Sequence, residues 1–261
     1  MAADAWAAPL GFEGEKGKDM SALGNWATIH WIRFSGITTP EMLDLSARPG
    51  GATSWKIGPD GQTGPDGNRL PSDVWCGVAI YLTREAADAA MDNPASFMPF
   101  LAQSSESWHA MLLPIAHRGE CNYLHPDDPG LLFEVASSDP GGPLVVMTTA
   151  GFRMGPELDM ARVIDFRRSV DRVRPQVIAA PGNVAMQRFT PHTSGDDGAT
   201  LTVWRSDTSM SGFAYRPGLH RSQVDRNKAE NTTDRTSFTR FRALRTTGLW
   251  GGVDPLIVAR D

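Results

Sequence analysis

The sequence predicts an α+β protein made of two ferredoxin-like repeats packed together within one chain. Three observations carry that prediction. Strand-like and helix-like segments follow the same order in each half; one constant offset pairs Ala79 with Leu201, TREAADAAM with RSDTSMSGF and Met98 with His220; and SSDPGGP at 137–143 breaks the chain between the halves. Antiparallel sheets of this kind each carry a face that must be covered, so packing the repeats together leaves room for a ligand between sheet and helices. The division expected is a lead-in at 1–23, a first repeat at 24–136, a linker at 137–143 and a second repeat at 144–261.

The lead-in is rich in Ala, Gly, Glu and Lys without a sustained period and reads as poorly ordered. WATIHWIRFSG, from Trp26 to Gly36, is aromatic and β-branched and makes a first strand. Pro40 opens a short helix, PEMLDLSA, because proline is tolerated in a first turn. From Arg48 to Ser72, Gly, Pro, Asp and Asn recur, with PDG twice; these residues supply turns rather than ladders, so a long irregular excursion is expected. VWCGVAIYL is a strand, TREAADAAMDN a helix, PASFMPFLAQ a second short helix after Pro94, and a strand runs from Trp108 to Ile115. In the second half LVVMTTAGF is a strand and DFRRSVDRVR at 165–174 a basic amphipathic helix; LTVWRSDTSMSGFAYRPGLHRSQVDRNKAEN gives strand, helix, proline break and helix, and TSFTRFRALRTTG a closing strand.

Bulk properties exclude several classes. Hydrophobic residues at 41% against 21% charged set the chain apart from disordered sequences. A net charge of −5 provides no cationic field for phosphate backbones, so nucleic acid is not an expected partner and the basic helix is read as a solvated face. No apolar run approaches the roughly 20 residues that span a bilayer. The acids of MAADAWAAPLGFEGEKGKDM do not fit a signal peptide, and the expected address is cytoplasmic. Cys76 and Cys121 are too few for a disulfide framework.

FAYRPGLHR, residues 213–221, is the segment with most chemical content. Pro217 and Gly218 interrupt one helix and start another, which places His220 in a first turn. There the positive end of the helix dipole disfavours imidazolium, so the ring stays neutral with a lone pair free for a metal. Histidine is a standard axial ligand of haem iron, and the flanking Arg216 and Arg221 carry the charge that haem propionates need. A lone helical histidine also reads as a surface or satisfied interior residue, so chemistry alone leaves the role open.

From LVVMTTAGF onward the chain resembles the spheroidene monooxygenase family, the bacterial carotenoid ketolase-like haem proteins. The resemblance rests on LTVWRSDTSMSGFAYRPGLHR and SFTRFRALRTTGLWGGVDPL, and more weakly on WIRFSGI, SWKIG and SESWHAMLLPIAHRGE in the first half. It implies a dimeric α+β-barrel-type architecture, haem b as cofactor and the FAY-x4-H histidine, His220, as iron ligand. ENTTDRTS, where the family carries an aromatic and acidic stretch, and a longer polar loop after SWKIG are departures that put a carotenoid substrate in doubt.

Haem-dependent monooxygenation of a small organic substrate, with an electron donor as further partner, is the leading expectation. Haem-dependent dehydration or N–O chemistry on an aldoxime-like or natural-product substrate is the second, and a haem-binding protein without catalysis the third. Met98, Trp31, Trp55 and His30 are candidate pocket walls; His30 shares a strand face with Trp26, Thr28, Ile32 and Phe34, and reads first as a packed strand histidine. His117, Cys121 and His125 are spaced by four, but Gly119 and PDDPG make their segment a loop, a weak zinc signal. GPDGQTGPDG has the acids and glycines of a calcium loop without its alternating ligands. Homodimerisation stays open, because a duplicated chain can satisfy internally the pairing that single-repeat relatives achieve between copies.

Overall fold

In the computed structural model, residues 26–67, 69–123, 135–192 and 197–260 are described; the expected lead-in and His125 lie outside them. Eight strands form one sheet. Those of the first half are β1 (Trp26–Thr38), β2 (Ala52–Pro59), β3 (Ser72–Tyr81) and β4 (Ser104–Gly119); those of the second are β5 (Leu144–Gly151), β6 (Asn183–Phe189), β7 (Gly198–Trp204) and β8 (Arg235–Gly248). The order is β2-β3-β1-β4-β8-β5-β7-β6, with every pairing antiparallel. Read outward from the β4·β8 seam, each half runs fourth, first, third, second, which is the ferredoxin-like order, and the seam joins the halves edge to edge. The expected two-repeat α+β-barrel-type architecture is thus present within a single chain.

The sheet curls until its edges meet. The backbone N–H of His192, just beyond β6, donates to the Ile57 carbonyl of β2 at 3.0 Å. Gly58 permits this approach, since a Cβ there would stand 1.9 Å from the Thr190 carbonyl oxygen. Closing the curl removes exposed strand edges.

Strand alternation then divides the interior into three cores. Ile29 and Trp31 of β1, Val78 of β3, Met147 of β5, Leu201 of β7 and Phe241 of β8 point inward into one cluster shared by both halves. The opposite face of the first half, with Ile32, Tyr81 and Met111, packs under α1 (Arg84–Asp92) through Ala87, Ala90 and Met91. The opposite face of the second half lies under α2 (Met160–Ile178), α3 (Asp207–Tyr215) and α4 (Leu219–Glu230). The chain ends in α5 (Pro255–Arg260).

Several local expectations are corrected. PEMLDLSA forms only a 3-10 turn at Pro40–Met42, since so short a segment offers too little burial to offset helix nucleation. PASFMPFLAQ splits into 3-10 turns at Pro94–Ser96 and Pro99–Gln103, because Pro99 lacks the N–H that would continue a helix. The excursion at 48–72 contains β2, which non-local pairing with β3 creates. Its remainder lies along α2: Asp60 accepts two 2.8 Å hydrogen bonds from Arg174, and Asp171 accepts from the Thr63 N–H at 3.0 Å. Asp60 of the calcium-like run is therefore committed to an ion pair. His117, expected in a loop, sits in β4, its Nδ1 2.8 Å from Thr239 Oγ1. Among the described residues no group of three His, Cys, Asp or Glu side chains is placed to hold a metal ion.

Candidate functional site

Between the second half-sheet and α2, α3 and α4 lies a cavity of about 400 Å³, within the range of small-molecule and cofactor clefts. Its floor follows from period-2 alternation. Val146, Thr148 and Ala150 of β5, Thr200 and Thr202 of β7, and Phe238 and Arg240 of β8 face it, while Val145, Met147, Ala199, Leu201, Val203 and Phe241 between and beside them fill the shared core. Phe166, Val170 and Val173 of α2 close one side. The Asp159 carboxylate caps that helix, accepting from Ala161 N at 2.9 Å.

His220 is the second residue of α4, in the first turn as expected, and its ring lines the cavity. The break that puts it there is Arg216-Pro217-Gly218: Arg216 leaves α3 in an extended conformation and Gly218 caps α4. An aromatic stack fixes the ring, with Phe213 4.8 Å from it and Trp204 5.6 Å beyond. Burial lowers the His220 pKa from its ordinary value; the Ala214 carbonyl opposes that shift and the Arg221 charge reinforces it. The shift favours the neutral ring, and its Nδ1 is buried, with the Ala214 carbonyl as the backbone group acting on the ring.

Charge at the walls is one-sided. Arg118, Arg174, Arg221 and Arg240 line the cavity, and no Asp or Glu among the described residues does, although the chain as a whole carries −5. Arg174 pairs with Asp60, Arg240 with Asp207 at 3.2 Å and Arg221 with Asp225 at 3.0 Å, so three of the four guanidiniums are held by a carboxylate, and Arg118 lies over the Phe238 ring. An apolar centre with a cationic margin suits a mainly apolar ligand bearing carboxylates. Of the two arginines expected beside His220, Arg221 lines this space; Arg216 is exposed and does not.

The equivalent space in the first half is filled. Trp55 lies across Gly77, where a Cβ would come within 2.5 Å of the indole, and the Trp55 ring meets Phe97 at 5.4 Å. Met98, the counterpart of His220 under the constant offset, is fully buried in that core. His30 is buried too: its Nδ1 is 2.9 Å from Nδ1 of His109 and its Nε2 is 2.8 Å from Thr28 Oγ1, which lies 3.3 Å from the Tyr81 hydroxyl. Burial holds the His30 pKa well below the ordinary histidine value and lowers that of His109 to about 4. Trp31 points into the shared core against Trp108, ring centres 4.6 Å apart. His30, Trp55 and Met98 therefore pack on the helix-covered face of the first half and Trp31 on the opposite, shared-core face, and none of them lines the His220 cavity.

Sequence reasoning missed Thr148, Thr200, Arg118, Arg174 and Arg240 as lining residues. The signal available was alternation: in LVVMTTAG and GATLTVW every second residue turns to the shared core, leaving Val146, Thr148, Thr200 and Thr202 for the other face.

Fold and site together define a class: an α+β barrel of two ferredoxin-like halves, with a helix-covered cavity in the second half. A crystal structure of aldoxime dehydratase shares the architecture, with a TM-score of 0.52 at 10% identity over 86% of this chain and 83% of that one. Aldoxime dehydratase in complex with butyraldoxime aligns at a TM-score of 0.45, also at 10% identity, over 86% and 81%. In sequence the chain is similar to spheroidene monooxygenase of Rhodobacter capsulatus, 25% identical over 184 residues that make up 70% of this chain and 72% of the relative. No family model matches. Among the described residues no helix is long and apolar enough to cross a membrane.

Proposed function

We propose that the protein is a haem-dependent oxidoreductase of the monooxygenase type, with haem b held in the second-half cavity and His220 as its iron ligand. One observation carries the reading: a half-buried imidazole, its pKa lowered by burial, lines a largely apolar cavity together with four arginines, and no Asp or Glu of the described residues lines it. The sequence likeness to spheroidene monooxygenase supports it. Haem b would supply a redox-active iron with a coordination position open to small ligands.

The chain's own residues account for the rest. His220 donates a nitrogen lone pair, and the Phe213–Trp204 stack holds its plane. Arg118, Arg174, Arg221 and Arg240 are the candidate partners for two propionates, with Arg221 adjacent to the ligand histidine. Val146, Ala150, Met186 and Phe238 exclude water from the side on which an organic substrate would lie. Monooxygenation places one atom of O₂ in the substrate and the other in water, so two electrons come from a separate donor, the further partner of this reading.

The test is the absorbance spectrum of protein expressed with added haem. The wild type is expected to show a Soret band, and His220→Ala to lose or strongly shift it; an unchanged band in the variant removes His220 from the iron. Dehydration of an aldoxime-like substrate is the second reading, favoured by the aldoxime dehydratase fold alone. Dehydration consumes no O₂, so turnover that persists under strict anaerobiosis selects it.

A further inference from the structure

We propose that Thr148 and Thr200 form the recognition point of the cavity floor, a hydroxyl pair that takes the one polar function of an otherwise apolar ligand. This rests on the reading just given, in which the cavity that His220 lines also takes the organic ligand.

Thr148 on β5 and Thr200 on β7 are direct partners in the antiparallel register. Directly opposed residues on one sheet face have Cβ atoms roughly 4.5–5.5 Å apart, so one small group reaches both hydroxyls. Both residues are half-buried and both line the cavity. Their neighbours have settled partners: Thr202 accepts from the Trp204 indole N–H at 2.8 Å, and Thr149 meets Ser237 at 2.7 Å. Neither Thr148 nor Thr200 has a hydrogen-bond partner among the described residues.

The surroundings make the pair distinctive. Val146 and Ala150 flank Thr148 on the same face, Phe238 faces it from β8, and Met186 lies further along the floor. Valine has the shape of threonine and would complete such a floor without an unsatisfied hydroxyl, so the two hydroxyls point to a polar atom in the ligand. Thr236 adds a third hydroxyl one place along the same face of β8 from Phe238, towards the strand end. The floor faces the helix that carries His220, so a molecule lying flat on it presents its polar function to Thr148 and Thr200 and its apolar body to Val146 and Met186. The substrate class this describes is an apolar, ring- or chain-bearing molecule with a single hydroxyl, carbonyl or oxime-like group.

This deepens the haem reading and is tested in two arms. In haem-loaded protein, Thr148→Val, Thr200→Val and the double variant are compared with wild type through the carbon monoxide stretch of the reduced protein and fluoride affinity of the oxidised one. Loss of donors near the bound ligand is expected to raise the carbon monoxide stretch in each variant and to weaken fluoride binding roughly fivefold per hydroxyl. An intact Soret band with unchanged stretch and affinity overturns the proposal while leaving His220 as ligand. If the wild type takes up no haem, the cofactor reading fails and the pair is tested alone, by calorimetric titration of 1-naphthol against naphthalene. Wild-type preference for the naphthol, lost in the double variant, supports the pair; equal affinity for both compounds overturns it.

Discussion

Three histidines show how burial sets chemistry at the residue scale. His220 and the His30–His109 pair all have lowered pKa values, with burial the largest cause in each, but only His220 faces open space. The pair is closed: one Nδ1–H donates to the other Nδ1 across 2.9 Å, an arrangement that requires the accepting ring to be neutral and is broken when both rings are protonated. A pH dependence follows. The unfolded chain binds a proton at His109 near its ordinary value of 6.5, the folded chain only near 4, so stability rises with pH across that window. The contribution is complete above about 6.5 and is lost as pH falls through about 4, amounting to about 3 kcal/mol for that group. Urea unfolding at pH 7 and pH 4.5 is expected to show a smaller acid loss in His109→Gln than in wild type. The same loss in both would mean that acid sensitivity arises from carboxylates alone.

Among the elements, the closure between β2 and the chain after β6 is the tightest joint. Gly58 stands against the Thr190 carbonyl, and the His192 N–H bonds to Ile57 next to it. Any side chain at Gly58 pushes backbone against backbone, which no rotamer change relieves. Gly58→Val is therefore expected to cost about 2 kcal/mol or more in chemical denaturation, at the upper range for an overpacked site. Wild-type stability in that variant would show that the edges tolerate separation. The same joint bears on the site, because the excursion after β2 carries Asp60, which fixes the cavity-lining Arg174.

For the whole molecule, two halves of the same strand order are packed differently. Each half offers one face to a shared core and the other to its own helices. Over the first half that second face is packed solid by Trp55, Phe97 and Met98; over the second it opens into the His220 cavity. Haem-loaded protein is expected to hold one haem per chain, measured as pyridine haemochrome against protein concentration. Two per chain would mean that the first half opens as well.

Much of this was legible in residue order, and the divide between what was and was not is physical. Strands such as WATIHWIRFSG and LVVMTTAGF, the proline break before His220 and the repeated element order all express local propensity and period, which a chain carries before it folds. Those features determined the two-repeat α+β reading and singled out His220. Tertiary structure alone decided the rest. β2 exists because β3 pairs with it, and Arg118, Arg174 and Arg240 converge because β4, α2 and β8 meet around one space. Whether a half is filled or open depended on the volume that Trp55 and Met98 occupy across the sheet, and packing between distant segments leaves no periodic trace along the chain.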